Sequence, residues 1–115
     1  MLKLKAIMLS IVIPTFNEEK YLPKLLESLK KQTFQQYEII VADNNSKDNT
    51  RQLAKKYGCN VIGGGLPGIA RNKGANTANY DLLFLDADII LDDSFLHNLL
   101  DKIYLKKLDI ASVFP

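Results

Sequence analysis

Residues 82–88 read Leu82-Leu83-Phe84-Leu85-Asp86-Ala87-Asp88, four large apolar side chains running into two carboxylates one residue apart. An apolar run of this length suits a strand covered on both faces of a parallel sheet. Side chains two apart on an extended chain share a face, with Cα atoms about 6–7 Å apart. Asp86 and Asp88 are therefore expected to point together beyond the strand's carboxyl end. In an open parallel sheet that edge is the crevice where ligands sit. Two neighbouring carboxylates repel until a cation joins them, and a hard divalent ion shared with substrate phosphates would do so. One such aspartate reads best as a strand stop; two in phase read as a site.

Before this stretch, strand and helix signals alternate. Ser10-Ile11-Val12-Ile13 is a β-branched run expected to end at Pro14, which lacks a ladder amide. A polar loop, Thr15-Phe16-Asn17-Glu18-Glu19, follows. Leu22, Leu25, Leu26 and Leu29 recur at helical spacing. The regular helix is expected over about Pro23 to Lys31, because proline costs little only in a first turn. Tyr37 to Ala42 is the second strand, running into Asp43-Asn44-Asn45-Ser46. Ser46 is the expected N-cap of a helix over Lys47–Tyr57, with Gly58 at C′. Asn60-Val61-Ile62 is a short third strand, and a helix opening at Pro67 or Gly68 runs to about Asn79. In that helix Gly74 and Ala75 are small enough for close packing on the sheet.

After the organising stretch, Asp92 or Asp93 is expected to cap a helix from about Ser94 to Lys107, with Asp109–Phe114 as a fifth strand. This alternation predicts an α/β layer fold with a mostly parallel sheet. Three strands then end in polar loops, at residues 15–19, 43–46 and 86–88, and all three emerge at one sheet edge. That convergence weighs more than any single motif.

Composition narrows the function classes. The chain has 115 residues, 47% of them apolar and 24% charged, enough for one domain. A net charge of +2 leaves no footprint for nucleic acid, and the lysines, mostly on predicted helices, read as solvated faces. The single cysteine, Cys59, has no disulfide or metal partner and reads as a buried, inert thiol, compatible with a reducing compartment. Met1–Ile13 lacks a small-residue cleavage site and meets Pro14 at once, so it reads as a lead-in to a strand. No stretch approaches the ~20 apolar residues of a membrane span.

Each remaining motif has a plain and a chemical reading. Asp43 could accept donors from a ring nitrogen or ribose, but alone it reads better as an Asx turn with Asn44 and Asn45. Glu18 and Glu19 read as helix-start chemistry. Arg71, one turn into a helix after a glycine-rich loop, divides evenly between a surface arginine and a diphosphate partner. Gly63, Gly65 and Gly68 satisfy the dinucleotide-binding spacing, but they follow the third strand rather than the first, and Pro67 interrupts them. A P-loop fails because Ile69-Ala70 stands where Lys-Ser/Thr is needed, and an EF-hand fails at Ile90. His97, the only histidine, reads as partly exposed helix surface.

Four segments taken together, Ser10–Glu18, Ile39–Ser46, Gly68–Gly74 and Leu83–Asp88, resemble the amino-terminal, nucleotide-binding half of the family 2 glycosyltransferases with the GT-A fold. The resemblance covers residues 9 to about 108. It implies a three-layer α/β/α Rossmann-like GT-A fold, truncated before the acceptor-binding half, so that residues 1–115 form a single donor-binding domain. The implied donor is a nucleotide-diphosphate sugar, UDP- or GDP-linked, with Mn²⁺ or Mg²⁺. Transfer is implied to be inverting, to an acceptor hydroxyl on a glycan, lipid or protein. By this resemblance Pro14, Thr15, Phe16, Asn17 and Glu18 line the base and ribose site, and Asp43 holds the base. Arg71 approaches the base or diphosphate, Asp86-Ala87-Asp88 forms the D-x-D motif, Asp88 is the more direct metal ligand, and Asp86 lies nearer the ribose or sugar. Asn44 is implied to share the nucleotide-sugar site, standing where many members carry a second aspartate. The catalytic base is expected beyond residue 115, so the isolated chain is expected to bind donor weakly without turnover. A cytoplasmic location follows, at the inner membrane face in a longer protein, and an uncovered sheet edge would favour a homo-oligomer. The alternatives are a non-catalytic nucleotide-binding or receiver-like module, a D-x-D phosphatase-like hydrolase, and a dinucleotide binder through Gly63–Gly68.

Overall fold

The computed structural model describes residues 7–106, with side chains as far as Ile103; the expected fifth strand lies outside them. Four strands, β1 (Leu9–Thr15), β2 (Tyr37–Asp43), β3 (Asn60–Gly63) and β4 (Asp81–Phe84), form one sheet in the order β3-β2-β1-β4. Every pairing is parallel. Helices α1 (Leu22–Lys30), α2 (Thr50–Lys56) and α3 (Pro67–Thr77) make the crossovers, and α4 (Phe95–Lys106) follows β4.

The strand covered on both faces is β1 rather than β4. Six of its seven residues are buried, whereas β4 buries only Leu83 fully, because β4 pairs on one side only among the described residues. Strand alternation divides the core. Leu9, Ile11 and Ile13 share a cluster with Leu22, Leu25, Leu26 and Leu29 of α1 and Leu96 and Leu100 of α4. Val12 faces the other way, onto α3.

Pro14 does not end β1, which continues to Thr15 opposite Asp43. The carbonyl of Val12 accepts from Leu85 N–H on the β4 side, and residues two apart share a ladder edge. Pro14 therefore lacks its amide on the side where β4 has already stopped at Phe84, and no ladder bond is lost.

Helix α3 lies close to the sheet because Gly74 allows it. A Cβ at Gly74 would stand 2.3 Å from Val12 Cγ1. Gly74→Ala is expected to lever α3 outward and lower stability by about 1–3 kcal/mol, read as a shift of the urea midpoint at unchanged slope. An unshifted midpoint would contradict that packing.

Two helix starts differ from expectation. Ser46 does not cap α2, which begins at Thr50; its hydroxyl and amide both turn back to Asp43, and Asp48 Oδ1 accepts from Thr50 N–H instead. At α4, Leu96 N–H donates to Gln32 Oε1 of the segment after α1, at 3.0 Å. Gln32 Nε2 donates to the carbonyls of Ser28 and Asp92, and Ser28 Oγ accepts from Leu91 N–H. The free amide near the start of α4 is thus met from a distant segment, and residues 91–96 are tied to α1. The C-terminal end of α2 agrees with expectation: Gly58 takes φ +83°, and Cys59 and Gly58 amides donate to the carbonyls of Ala54 and Lys55, a Schellman arrangement.

At the amino end of the sheet, Glu38 gathers donors from Ser10 Oγ and from the amide and side chain of Asn79, joining the α3–β4 turn to β1 and β2. Burial raises its pKa, but those hydrogen bonds outweigh it and hold the carboxyl below its ordinary 4.5. A carboxyl depressed in the folded state contributes stability above its unfolded pKa and loses it as pH falls through the folded value. Glu38→Gln is therefore expected to cost about 1–2 kcal/mol at neutral pH, with the gap to wild type closing below the carboxylate range. A gap independent of pH would refute this.

Candidate nucleotide-sugar site

The loops after β1 and β2 are held together by reciprocal bonds. Asn17 N–H donates to Ser46 Oγ and Lys47 N–H to Asn17 Oδ1, both at 2.8 Å. Glu18 N–H donates to Thr50 Oγ1, Glu19 N–H to Asp48 Oδ2, and Asn49 N–H to Glu19 Oε1. Asn17 and Asn45 both take φ of 51°, a conformation that asparagine tolerates better than most residues. Asn17 is thus part of the loop clasp.

Asp43 is 3% exposed and occupied by the protein itself. Its Oδ1 accepts from Thr15 Oγ1 and Ser46 Oγ, both at 2.6 Å, and its Oδ2 from Ser46 N–H at 2.8 Å. Arg51 Nε stands 3.7 Å away. This is the Asx-turn reading: the carboxylate fixes where two strands end.

Between these loops, α3 and the end of β4 lies a cleft of about 300 Å³. Pro14, Thr15, Phe16, Glu18, Asn44, Arg71, Asp86, Ala87 and Asp88 line it, together with Gly65 and Pro67. Nine of the eleven residues expected from the sequence thus meet on one surface; Asn17 and Asp43 stand behind it. Asn44, next to the fixed Asp43, is half-buried and lines the cleft, its amide N–H donating to the Thr15 carbonyl. Phe16 is 55% exposed, an apolar face open to solvent.

The two aspartates reach the cleft by a turn, because β4 stops at Phe84. Leu85 and Ala87 still point into the core while Asp86 and Asp88 point out, so the expected phase holds. Arg71 Nη2 lies 4.0 Å from Asp86 Oδ1, which leaves Asp88 the less compensated carboxylate. Burial, then Asp88, Asp48 and Asp86, raises the pKa of Glu18; the cleft favours a proton or a cation near these groups. Among the described residues, no group of three or more His, Cys, Asp or Glu is arranged to hold a metal by itself.

The glycine-rich loop serves the sheet rather than a dinucleotide. Gly64, outside the G-x-G-x-x-G positions, is the close contact: a Cβ there would stand 2.7 Å from the Ala42 carbonyl oxygen. Gly63 and Gly68 face open space. Cys59 is buried, and burial pushes its thiol up to about 11, as expected of an inert thiol. No helix among the described residues is long and apolar enough to cross a membrane.

Sequence reading missed Ser28 and Gln32. Their signal was present: both fall on the helical stripe that begins at Leu22 and Leu25, as buried polar residues among leucines.

The parallel sheet order is that of a Rossmann-like domain, and its structural neighbours show the fold to be that of the GT-A glycosyltransferases. Residues 1–349 of Staphylococcus aureus TarS, solved with UDP-GlcNAc, superpose with a TM-score of 0.75 at 33% identity, over 86% of this chain and 32% of that one. A Pyrobaculum calidifontis mannosyltransferase, PcManGT, shares the fold alone, with a TM-score of 0.75 at 19% identity, over 83% of this chain and 32% of that one. The chain belongs to glycosyl transferase family 2, whose family model matches residues 10–114. It is 37% identical over 90 residues to the S. aureus poly(ribitol-phosphate) β-N-acetylglucosaminyltransferase TarS, covering 69% of this chain and 16% of that protein. It is 34% identical over 104 residues to the Campylobacter jejuni GalNAc(5)-diNAcBac-PP-undecaprenol β-1,3-glucosyltransferase, covering 82% of this chain and 34% of that one. The chain thus spans about a sixth to a third of the length of these relatives. The phosphatase-like, receiver-like and dinucleotide readings give way to this family.

Proposed function

We propose that this chain is the donor-binding domain of an inverting, metal-dependent glycosyltransferase using a nucleotide-diphosphate sugar. The observation that carries the reading is the meeting of nine residues from three separate strand ends in one cleft. UDP-GlcNAc on TarS supports a UDP-linked sugar, with GDP the alternative.

In this reading Phe16 and the Pro14–Thr15 backbone form the wall for base and ribose, and Asn44 offers one acceptor and two amide donors to the base edge. Asp43 acts from behind, holding Thr15 and the Asn44 turn in place. Arg71 faces the diphosphate. Asp86 and Asp88 suit Mg²⁺ or Mn²⁺, because two carboxylates completed by substrate phosphate oxygens and water satisfy a hard ion without a protein cage. When bound, the ion would stabilise charge developing on the departing diphosphate. Asp88 would be its more direct ligand, and Asp86, shared with Arg71, would turn toward the ribose or sugar. The acceptor hydroxyl needs a base, which we place in the remainder of a longer protein.

The test is a thermal-shift panel of UDP, GDP, CDP and NAD with and without Mn²⁺, on this chain and on the whole protein. Metal-dependent stabilisation by one nucleoside diphosphate is expected and names the base. Stabilisation by NAD alone, or none by any nucleotide in the whole protein, would contradict the reading.

A further inference from the structure

Cationic charge is concentrated on two neighbouring helices, whereas the α4 segment, packed on the same side of the sheet, carries exposed Asp92, Asp93 and Asp101 with Lys102. The segments 20–31 and 47–57, which contain α1 and α2, hold eight of the fifteen Lys and Arg residues but only two of the thirteen Asp and Glu residues. They carry +6 in a chain whose total is +2, leaving −4 for the rest. All eight cations are exposed. Lys30 lies 4.0 Å from Glu27, and Arg51 stands beside Asp43, whereas Lys24, Lys31, Lys55 and Lys56 form no ion pair among the described residues. The cleft is walled by α3, on the other side of the sheet from α1.

Apolar groups stand among the lysines. Ile90 is 69% exposed and lines a shallow hollow of about 440 Å³ with Pro23, Lys24 and Lys31, with Glu27 and Asp93 also on its walls. Tyr21 is 44% exposed, with Lys20 Nζ 5.7 Å from its ring centroid. Exposed aliphatic and aromatic side chains beside long cationic stems match a lipid headgroup boundary, where the apolar part enters and the ammonium remains with phosphate.

We propose that the α1–α2 layer docks on an anionic phospholipid bilayer. Charge complementarity favours it: unpaired lysines spread along two neighbouring helices suit a plane of anionic headgroups, each contributing through its distance to the surface. The neighbouring apolar groups, which a soluble polyanion would not use, favour a bilayer over that partner. In this orientation the sheet lies along the membrane, and the cleft opens at its carboxyl edge on the α3 side, away from the helices that meet the bilayer. The proposal stands independently of the donor-site reading.

The experiment is vesicle sedimentation of the chain with phosphatidylcholine alone and with about a third phosphatidylglycerol, across a salt series. Partition onto the anionic vesicles, reversed by salt, is expected. Lys24→Glu with Lys31→Glu, and separately Lys55→Glu with Lys56→Glu, should each weaken it by tenfold or more, since one lysine near such a surface is worth about fivefold. Tyr21→Ser with Ile90→Ser should weaken it at every salt concentration, with circular dichroism confirming the fold of each variant. Equal partition onto neutral and anionic vesicles overturns the proposal. So does binding that Tyr21→Ser with Ile90→Ser leaves unchanged and soluble polyphosphate matches in strength, since that assigns the face to a soluble polyanion.

Discussion

Asp88→Asn is expected to remove the metal dependence of nucleoside-diphosphate binding while leaving the fold intact. The substitution keeps the shape of an exposed side chain at the cleft edge, so thermal stability without ligand should be unchanged. It removes the carboxylate that Arg71 does not compensate, since the guanidinium stands beside Asp86. Binding of the diphosphate in Mn²⁺ should fall at least about tenfold, to the level seen in the wild type without metal. In the whole protein, kcat/KM should fall about 10²–10³-fold, the scale of removing one group that stabilises developing charge. Calorimetric titration with and without Mn²⁺ checks the first effect. A variant that retains full metal-dependent affinity would place the cation elsewhere.

Asp43→Ala is expected to act on stability rather than directly on the ligand. Four groups converge on this carboxylate, three as hydrogen-bond donors within 2.8 Å, and the site is closed to solvent. Truncation leaves the Thr15 hydroxyl and the Ser46 amide without their acceptor in a buried place. The expected cost is about 3 kcal/mol, since each unpaired buried donor costs about 1–3 kcal/mol. Urea unfolding of Asp43→Ala reads this directly. A direct contact with the base predicts the reverse pattern, with stability preserved and affinity lost. The two outcomes separate the position Asp43 occupies in the structure from the base-holding role that family resemblance implies.

The fold was largely legible because its signals are local. Leucines at helical spacing, β-branched runs and the Gly58 stop each specify one element with no distant partner. The convergence of the three polar loops was legible for a topological reason, since strands of a parallel sheet end at the same edge. What the sequence concealed depends on contacts between distant segments. Pro14 stays within β1 because β4 is short on that side. Ser46 looks like a helix cap, but the carboxylate of Asp43 competes for it and wins. Gln32 meets the α4 amide from 64 residues away; its place on the leucine stripe marks it as buried but does not name that partner. Among the expected site residues, Asn44 lines the cleft while Asp43, its neighbour, is buried beside it and bonded to Thr15 and Ser46. Their order in the chain did not reveal which of the two is buried; the pairing of Asp43 with Thr15 across the sheet did.

At 13.0 kDa the chain suits residue-by-residue amide NMR, and a titration with UDP and GDP in Mg²⁺, followed by trace Mn²⁺, tests the cleft most directly. One nucleotide is expected to shift the amides of Thr15, Phe16, Asn44 and Arg71, and paramagnetic Mn²⁺ to broaden those around Asp86–Asp88 and Glu18 first. Shifts confined to the opposite end of the sheet, around Tyr57 and Asn60, or broadening that spares Asp88, would contradict the assignment of this cleft as the donor site.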